Sequence, residues 1–219
     1  MPLADDLIAL LSPDRVSTRP ADLELASHDE SSCPAFPPDV VVWPSATDEV
    51  SRIVRYAYEQ DMPLTARGAG SSLEGNPIPV RGGILRDLSR MGRILTIHTE
   101  DLQVTVQPGI VYNHLNDRLK PYGLFFPPSP GGSSDVATVG GMVANNASGI
   151  YSVKYGGTRE HVKAATVVTG TGEVLHLGTR SRKTSSGYHL LGLLVGSEGT
   201  LAIATELTLS LVGLPQGRR

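Results

Sequence analysis

Three segments rich in glycine, serine and alanine are the stretches of this chain best suited to hold a ligand. The first is Arg67-Gly68-Ala69-Gly70-Ser71-Ser72, which follows the short strand-like run Pro63 to Ala66. A turn of small residues exposes several backbone N–H groups in a concave surface, and serine hydroxyls add donors, an arrangement that suits a phosphate or pyrophosphate. Two better-defined phosphate motifs are excluded. A dinucleotide fingerprint needs a third glycine and an immediate helix, but Glu74-Gly75-Asn76-Pro77-Ile78-Pro79 comes next here and cannot begin a regular helix. No Gly-Lys-Ser/Thr sequence is present, which excludes a P-loop. The plainer alternative for this segment is an ordinary turn.

The second segment begins with the rigid loop Pro127-Pro128-Ser129-Pro130-Gly131-Gly132-Ser133-Ser134. It continues as Thr138-Val139-Gly140-Gly141-Met142-Val143-Ala144-Asn145-Asn146-Ala147-Ser148-Gly149, the pattern of a glycine-opened helix closed by small residues. A helix N-terminus presents N–H groups to an anion, and paired glycines admit a ligand close to the backbone. Close helix–sheet packing would also select Gly and Ala. The third segment, Gly196-Ser197-Glu198-Gly199-Thr200-Leu201-Ala202-Ile203-Ala204, reads as a turn entering a strand. A hairpin with one surface carboxylate is the alternative there.

The elements that would position these segments emerge from hydrophobic spacing. Leu3, Leu7, Ile8, Leu10 and Leu11 fit a short amphipathic helix ended by Pro13, and residues 14–38 read as an irregular lead-in. Val40-Val41-Val42-Trp43 has the continuous apolar pattern of a strand buried on both faces. A helix then carries Val50, Ile53, Val54, Ala57 and Tyr58, with Thr47 as the expected N-cap and Asp48 and Glu49 in the first turn. Together with the strand Pro63 to Ala66 this makes a β-α-β unit, with a further strand expected around Gly83 to Leu88. Strands dominate afterwards: Ile94 to His98 with Gln103 to Gln107, then Ala164 to Thr169 with Glu173 to Leu177 around the turn Gly170-Thr171-Gly172, and Leu201 to Leu211. Helices are expected at Val111 to Leu119, with Gly123 as C-cap, and at Tyr188 to Val195. The fold class is therefore α+β in two subdomains, a small β-α-β half to about residue 90 and a larger antiparallel half.

Composition narrows the function. With 219 residues and 40% hydrophobic content, the chain can bury a substantial core. A formal net charge of −3 lacks the basic footprint of a nucleic-acid binder. The single cysteine, Cys33, excludes an intramolecular disulfide framework and a multi-cysteine metal site. The six histidines are scattered without a metal-binding pair, so no metal ligand is assigned; only His161 lies close to the second segment. Arg180, Arg182 and Lys183 read as a solvated loop, and Tyr151 and Tyr155 as packing under a loop. No apolar run is long enough to span a membrane and no basic leader precedes the first helix, so the expected location is cytoplasmic, with peripheral membrane association possible only through a complex.

In order and spacing the three segments resemble the FAD-linked oxidase family, whose cofactor domain is of the vanillyl-alcohol-oxidase or PCMH type. The branch they resemble most is that of the glycolate oxidase and D-lactate dehydrogenase flavin subunits. The resemblance runs from about Pro34 to Val212. It takes in Asp87-Leu88-Ser89-Arg90-Met91, Pro108-Gly109, Lys154-Tyr155-Gly156, Lys183-Thr184-Ser185-Ser186-Gly187-Tyr188 and Gly196-Ser197-Glu198-Gly199-Thr200-Leu201. It implies an FAD-binding domain over 34–213, divided into 34–90 and 91–213, after a helix and lead-in at 1–33 and before a polar tail at 214–219.

The resemblance also implies roles. Ala66 to Ser72 would wrap the FAD pyrophosphate through backbone N–H groups. Pro128, Ser129, Pro130, Ser133 and Ser134, with Thr138, Gly140 and Gly141, would line the flavin and diphosphate. Asn145, Asn146, Ala147, Ser148 and Gly149 would continue that wall, and Glu198, Gly199, Ile203 and Ala204 would lie along the adenosine. Leu73 and Gly75 would at most support the loop from behind. Relatives that attach FAD covalently through this loop carry a histidine where Ser71 stands, so the flavin is expected to be non-covalent. Met142 and Ser148 replace an asparagine and a glycine common in the branch, and Ser148 bears on a flavin hydrogen bond.

The function this resemblance implies is oxidation of a 2-hydroxy acid of the D-lactate or glycolate type by hydride transfer to flavin N5. In the family the groups that grip the substrate lie in a cap domain C-terminal to this one, so no catalytic residue is assigned within the chain, and its expected partners are FAD and a cap domain or partner subunit. These residues do not specify the electron acceptor. Two alternatives share the domain: a stand-alone flavin-binding electron-transfer subunit, and an alkylglycerone-phosphate-synthase-like enzyme whose chemistry is not a net oxidation.

Overall fold

The computed structural model describes residues 2–215, so the tail expected at 214–219 lies from residue 216 onward outside the described residues. The chain opens with α1 (Pro2–Leu10), whose Leu7 is fully buried. Residues 14–38, expected to be an irregular lead-in, contain a strand and a helix instead: β1 (Val16–Ser17) and α2 (Pro20–Ala26). Pro20 sets a helical φ at the first turn of α2, where its missing N–H costs nothing. A two-residue strand and a seven-residue helix are too short to leave a periodic signal.

The β-α-β unit forms as expected from β2 (Val40–Val42), α3 (Thr47–Glu59), β3 (Leu64–Arg67) and β4 (Ile84–Asp87). The sheet order is β1-β2-β4-β3, with β2 and β3 parallel to the central β4 and β1 antiparallel at the edge. Side-chain alternation divides the two faces. Ile84 packs with Leu7, Val40, Val42, Ile53 and Ala57 beneath α1 and α3, whereas Leu85 packs with Ala26 and Val41 beneath α2. The expected N-cap at Thr47 is displaced by one residue. Ala46 occupies the cap, and the Glu49 carboxylate turns back to accept from the Ser45 N–H at 2.7 Å and from Arg15 at 2.6 Å. Thr47 is thereby free to donate to Thr205 Oγ1 at 3.0 Å.

The larger half begins with β5 (Ile94–His98) and β6 (Gln103–Val106), then α4 (Tyr112–Leu119), β7 (Leu124–Phe125) and α5 (Val139–Ala144). Two single-turn helices, α6 (Ser152–Tyr155) and α7 (Thr158–His161), lead into the hairpin β8 (Val162–Thr169) and β9 (Val174–Gly178). Finally come α8 (Leu190–Leu194), β10 (Ala202–Ser210) and β11 (Val212–Gly213), the last paired with β7. The antiparallel sheet has the order β5-β6-β10-β8-β9, so β10 joins two hairpins formed earlier in the chain. One face of it, with Val104, Val106, Val167, Leu207 and Leu209, packs against Leu115, Leu119, Val139, Val143 and Leu194 from α4, α5 and α8.

A bulge in β10 between Ala204 and Glu206 reverses its alternation. Leu207 and Leu209 point into the large core; beyond the bulge it is Ala202 and Ala204 that do so, and Ile203 turns to the opposite face. There Ile203 meets a small cluster of Val50, Val54, Leu88, Met91 and Val168, which belongs to both halves of the chain. Helix α3 is thus buried against the parallel sheet on one side and the antiparallel sheet on the other. Ser51 Oγ adds a 2.5 Å bond to the carbonyl of Gly172 in the β8–β9 turn. No helix among the described residues is long and apolar enough to cross a membrane.

Because that cluster is common to both halves, they are expected to unfold together. Met91→Ala empties a fully buried position in it and should cost about 2–5 kcal/mol. Urea denaturation monitored by fluorescence and by circular dichroism should give one coincident transition at a lower midpoint, whereas separate transitions would show the halves to be independent.

Candidate functional site

All three small-residue segments converge on one cavity of about 500 Å³ at the seam between the halves. Its volume lies within the range of small-molecule and cofactor pockets. Of the residues expected from the sequence, Ala66, Arg67, Gly68, Ala69, Gly70, Ser71 and Ser72 line it, as do Pro130, Ser133, Thr138, Gly140 and Gly141. Asn145, Asn146, Ala147, Ser148, Glu198, Gly199, Ile203 and Ala204 complete the set.

The first loop leaves the C-terminal end of β3 and offers donors. The backbone N–H groups of Gly68, Ala69, Gly70, Ser71 and Ser72 have no hydrogen-bond acceptor among the described residues. A run of unpaired donors at a cavity wall is what an anionic ligand would satisfy. Two glycines make the loop possible. A Cβ at Gly68 would lie 2.3 Å from Thr138 Oγ1, so loop and α5 approach more closely than any side chain permits. Gly70 has φ +70°, and the space beside its Cα is filled by the Arg67 guanidinium. That guanidinium is folded under the loop and donates to the His28 carbonyl at 2.6 Å. Burial lowers the Arg67 pKa, with Asp87 and Asp29 opposing the shift.

At α5 the structure corrects the expectation of N–H groups left open to an anion. The Val139 N–H donates to the Ile110 carbonyl at 2.9 Å, that of Gly140 to Pro108 at 2.7 Å, and that of Gly141 to the Thr138 side chain at 3.3 Å. The helix is therefore capped from within the protein. Gly140 serves packing, since a Cβ there would strike Pro108 at 2.5 Å, whereas Gly141 would meet nothing closer than Thr138 Oγ1 at 3.3 Å.

The C-terminal end of α5 and the third segment are locked together. Gly196 and Glu198 donate their N–H groups to the carbonyls of Val143 and Ala144, both at 3.0 Å. Asn146 and Glu198 hold left-handed φ values of 48° and 53°. Such strained positions on non-glycine residues persist where surrounding bonds enforce them, and they cluster at ligand sites. Asn146 is held by the Arg159 N–H on its Oδ1 at 3.0 Å.

Sequence reasoning missed the residues that brace the first loop. Asp29, in the supposed lead-in, is buried and accepts from the N–H groups of Ser31 and Gly75, both at 2.9 Å. Burial works against its charge, but the bonds from Ser31 and Gly75 prevail and hold its pKa below the ordinary value. Asn76 Nδ2 donates to Asn145 Oδ1 at 3.0 Å, tying the loop to α5. The available signal was Asp29-Glu30-Ser31, an aspartate placed to accept from its own backbone two residues on. Leu73, expected to stand behind the loop, lines the cavity instead.

Four expected residues do not reach the cavity. Pro128 and Ser129 are buried behind it, and Gly149 backs onto the Ser129 carbonyl, which a Cβ would approach to 2.2 Å. Ser134 Oγ closes the neighbouring turn by donating to the Gly131 carbonyl at 2.6 Å. His161 is buried, with Nε2 2.8 Å from the Tyr155 carbonyl and Nδ1 3.2 Å from the Ser210 hydroxyl, a structural role. Tyr155 packs edge-on against Phe125, Arg180 pairs with Asp101 at 2.6 Å, and Cys33 is exposed. Among the described residues no group of His, Cys, Asp and Glu is placed to hold a metal ion.

Comparison with known proteins agrees with this geometry. Residues 38–178 match the model of the FAD binding domain family. D-lactate dehydrogenase of Anaerostipes hadrus is 42% identical over 207 residues, which cover 94% of this chain and 43% of that protein. Glycolate oxidase subunit GlcD of Bacillus subtilis is 36% identical over 215 residues, covering 98% and 46%. A solved alkyldihydroxyacetonephosphate synthase superposes with a TM-score of 0.88 at 27% identity, covering 99% of this chain and 41% of that one. The chain spans less than half the length of these relatives. It belongs to the FAD binding domain family, and its fold is that of a PCMH-type FAD-binding domain.

Two outcomes are expected. Gly68→Ala forces Thr138 aside and should raise the Kd for FAD by about tenfold or more in a flavin-fluorescence titration; unchanged affinity would mean that the loop need not lie so close to α5. Asp29→Ala strands two N–H groups and should cost about 1–3 kcal/mol near neutral pH. A depressed carboxylate pKa stabilises fully above the unfolded value of about 3.9 and loses that contribution as pH falls through the folded value. Denaturation at a series of pH values should therefore show the wild-type advantage over Asp29→Ala shrinking below about pH 4.

Proposed function

We propose that this chain holds FAD non-covalently as the cofactor domain of an oxidoreductase acting on a 2-hydroxy acid of the D-lactate or glycolate type. The observation that carries the cofactor part is the run of unpaired N–H groups from Gly68 to Ser72 on a cavity of about 500 Å³, with the Arg67 guanidinium beneath. Those donors fit a diphosphate. Gly199, Ile203 and Ala204 give the adenosine a wall of small and apolar groups, and Pro130, Ser133, Gly141 and Asn145 to Ser148 border the remainder. Ser71 cannot form the covalent link a histidine would. The substrate class rests on the two 2-hydroxy-acid enzymes among the relatives.

Bound there, FAD supplies the acceptor for the hydride leaving the substrate's α-carbon. The chain's own residues position that cofactor: the loop N–H groups fix the diphosphate, and the bonds from Asp29 and Asn76 keep the loop rigid. Groups that bind the substrate carboxylate and take the hydroxyl proton are assigned to a cap domain or partner subunit. Two stretches continuing from the cavity wall expose large apolar side chains suited to such a neighbour: Ile150 and Val153 after Ser148, and Tyr188, Leu190 and Leu193 before Leu194. A second reading, an alkyldihydroxyacetonephosphate-synthase-like enzyme, has the close structural superposition in its favour.

Acid precipitation of the flavin-loaded chain should leave all flavin in the supernatant; flavin retained in the pellet would overturn non-covalent binding. Dye reduction by the complete gene product should occur with D-lactate or glycolate. Failure with these and with 2-hydroxyglutarate, alongside formation of an alkyldihydroxyacetonephosphate, would favour the second reading.

A further inference from the structure

Beside the FAD cavity lies a second cavity of about 610 Å³, between α3, the end of the β8–β9 hairpin and the segment leading into β10. Gly199, Ala202 and Ile203 line both cavities and form a shared wall. Its lining is mixed: Val54, Ala57, Met62, Leu64 and Val168 stand beside the polar groups of Tyr58, Thr169 and Thr200. Asp61 and Arg81 stand exposed on it, and Arg86 borders it.

Arg86 is the anomaly. It occupies the centre of β4, and alternation from Ile84 and Leu85 turns its side chain to the face covered by α3. It is 0% exposed, and Nε and both terminal nitrogens lack a hydrogen-bond partner among the described residues. Burial alone pushes its pKa down to about 9, which still leaves it cationic near neutrality. Buried polar groups are almost always paired, and a buried charge without a partner is among the costliest features a fold can keep. Structural need does not account for it, because an apolar side chain of similar size would fill the same space among the same neighbours.

We propose that the second cavity is a binding site for a small carboxylic acid with an apolar body, whose carboxylate is held by Arg86. A planar guanidinium matches a carboxylate with two parallel hydrogen bonds. One buried positive charge is neutralised by one carboxylate, whereas a phosphate dianion would leave an excess negative charge beside Arg86. The apolar stretch of the wall formed by Val54, Ala57, Met62 and Leu64 is large enough for a short hydrocarbon chain and no more. The guanidinium is shielded from water in the present conformation, so binding requires small side-chain movements in the cavity wall. Because the two cavities share only a wall, the acid and FAD bind together and do not compete.

The test is thermal melting and calorimetry of the chain with butyrate, and with inorganic phosphate for comparison, each with and without saturating FAD. Wild type should gain several degrees in Tm near butyrate saturation in both cofactor states, with a smaller response to phosphate. Arg86→Met should melt higher than wild type without ligand, bind FAD normally and show no butyrate response; Arg86→Lys should respond more weakly than wild type. No butyrate shift in wild type, an equal shift in Arg86→Met, or a stronger response to phosphate would overturn the proposal. So would loss of the butyrate response on FAD saturation, which would assign the acid to the FAD cavity. Should the chain hold no FAD, the cofactor-free measurements on wild type and both variants still decide the matter.

Discussion

Helix α3 has to be buried on two sides at once, and the architecture around the cavity depends on that requirement. Its Ile53 and Ala57 fill the parallel sheet's face, while Val50 and Val54 meet Val168 of the antiparallel sheet. A single helix therefore sets the separation and angle of two sheets that share no ladder hydrogen bonds. The cavity opens where they diverge. The loop after β3 closes it from one side, and α5 with the turn before β10 closes it from the other. Rigidity at the seam is thus a condition for the cofactor site as well as for stability.

Much of this was legible from residue pattern. The continuous apolar run at Val40 to Val42, the helical spacing from Val50 to Ala57 and the turn at Gly170-Thr171-Gly172 each placed their element, because each is long or chemically distinctive. The three segments that line the cavity were visible because small residues must stand where backbone approaches backbone. The elements that stayed hidden are short: β1, α2, β7 and β11 rest on tertiary pairing, with no periodicity of their own. Sequence also could not separate a glycine that admits a ligand from one that admits another loop. Gly140 and Gly149 proved to be of the second kind, and the N-terminus of α5, which looked open to an anion, is capped by the carbonyls of Pro108 and Ile110.

The bracing of the first loop shows a division of labour that residue type alone conceals. The donors that face the cavity are backbone groups, which carry no sequence identity. The side chains that hold them there, Asp29, Asn76 and Arg67, come from outside the glycine-rich motif or turn away beneath it. A charged residue in this protein is therefore more informative by the backbone it restrains than by its exposure. Arg86 stands apart, a charge that restrains nothing visible.

The position of β10 has a consequence for how the chain is made. The strand lies at the centre of its sheet yet is formed by residues 202–210, after both flanking hairpins have left the ribosome. Until then β6 and β8 each present an open edge to the cell, separated by the gap that β10 will fill, and neither hairpin can bury its apolar face alone. Most of the sheet's contacts thus span long sequence separations, which favours slow folding and an aggregation-prone interval during synthesis. Truncation or ribosome stalling before about residue 200 would release two unjoined hairpins, so the length of that exposed interval is set by translation speed.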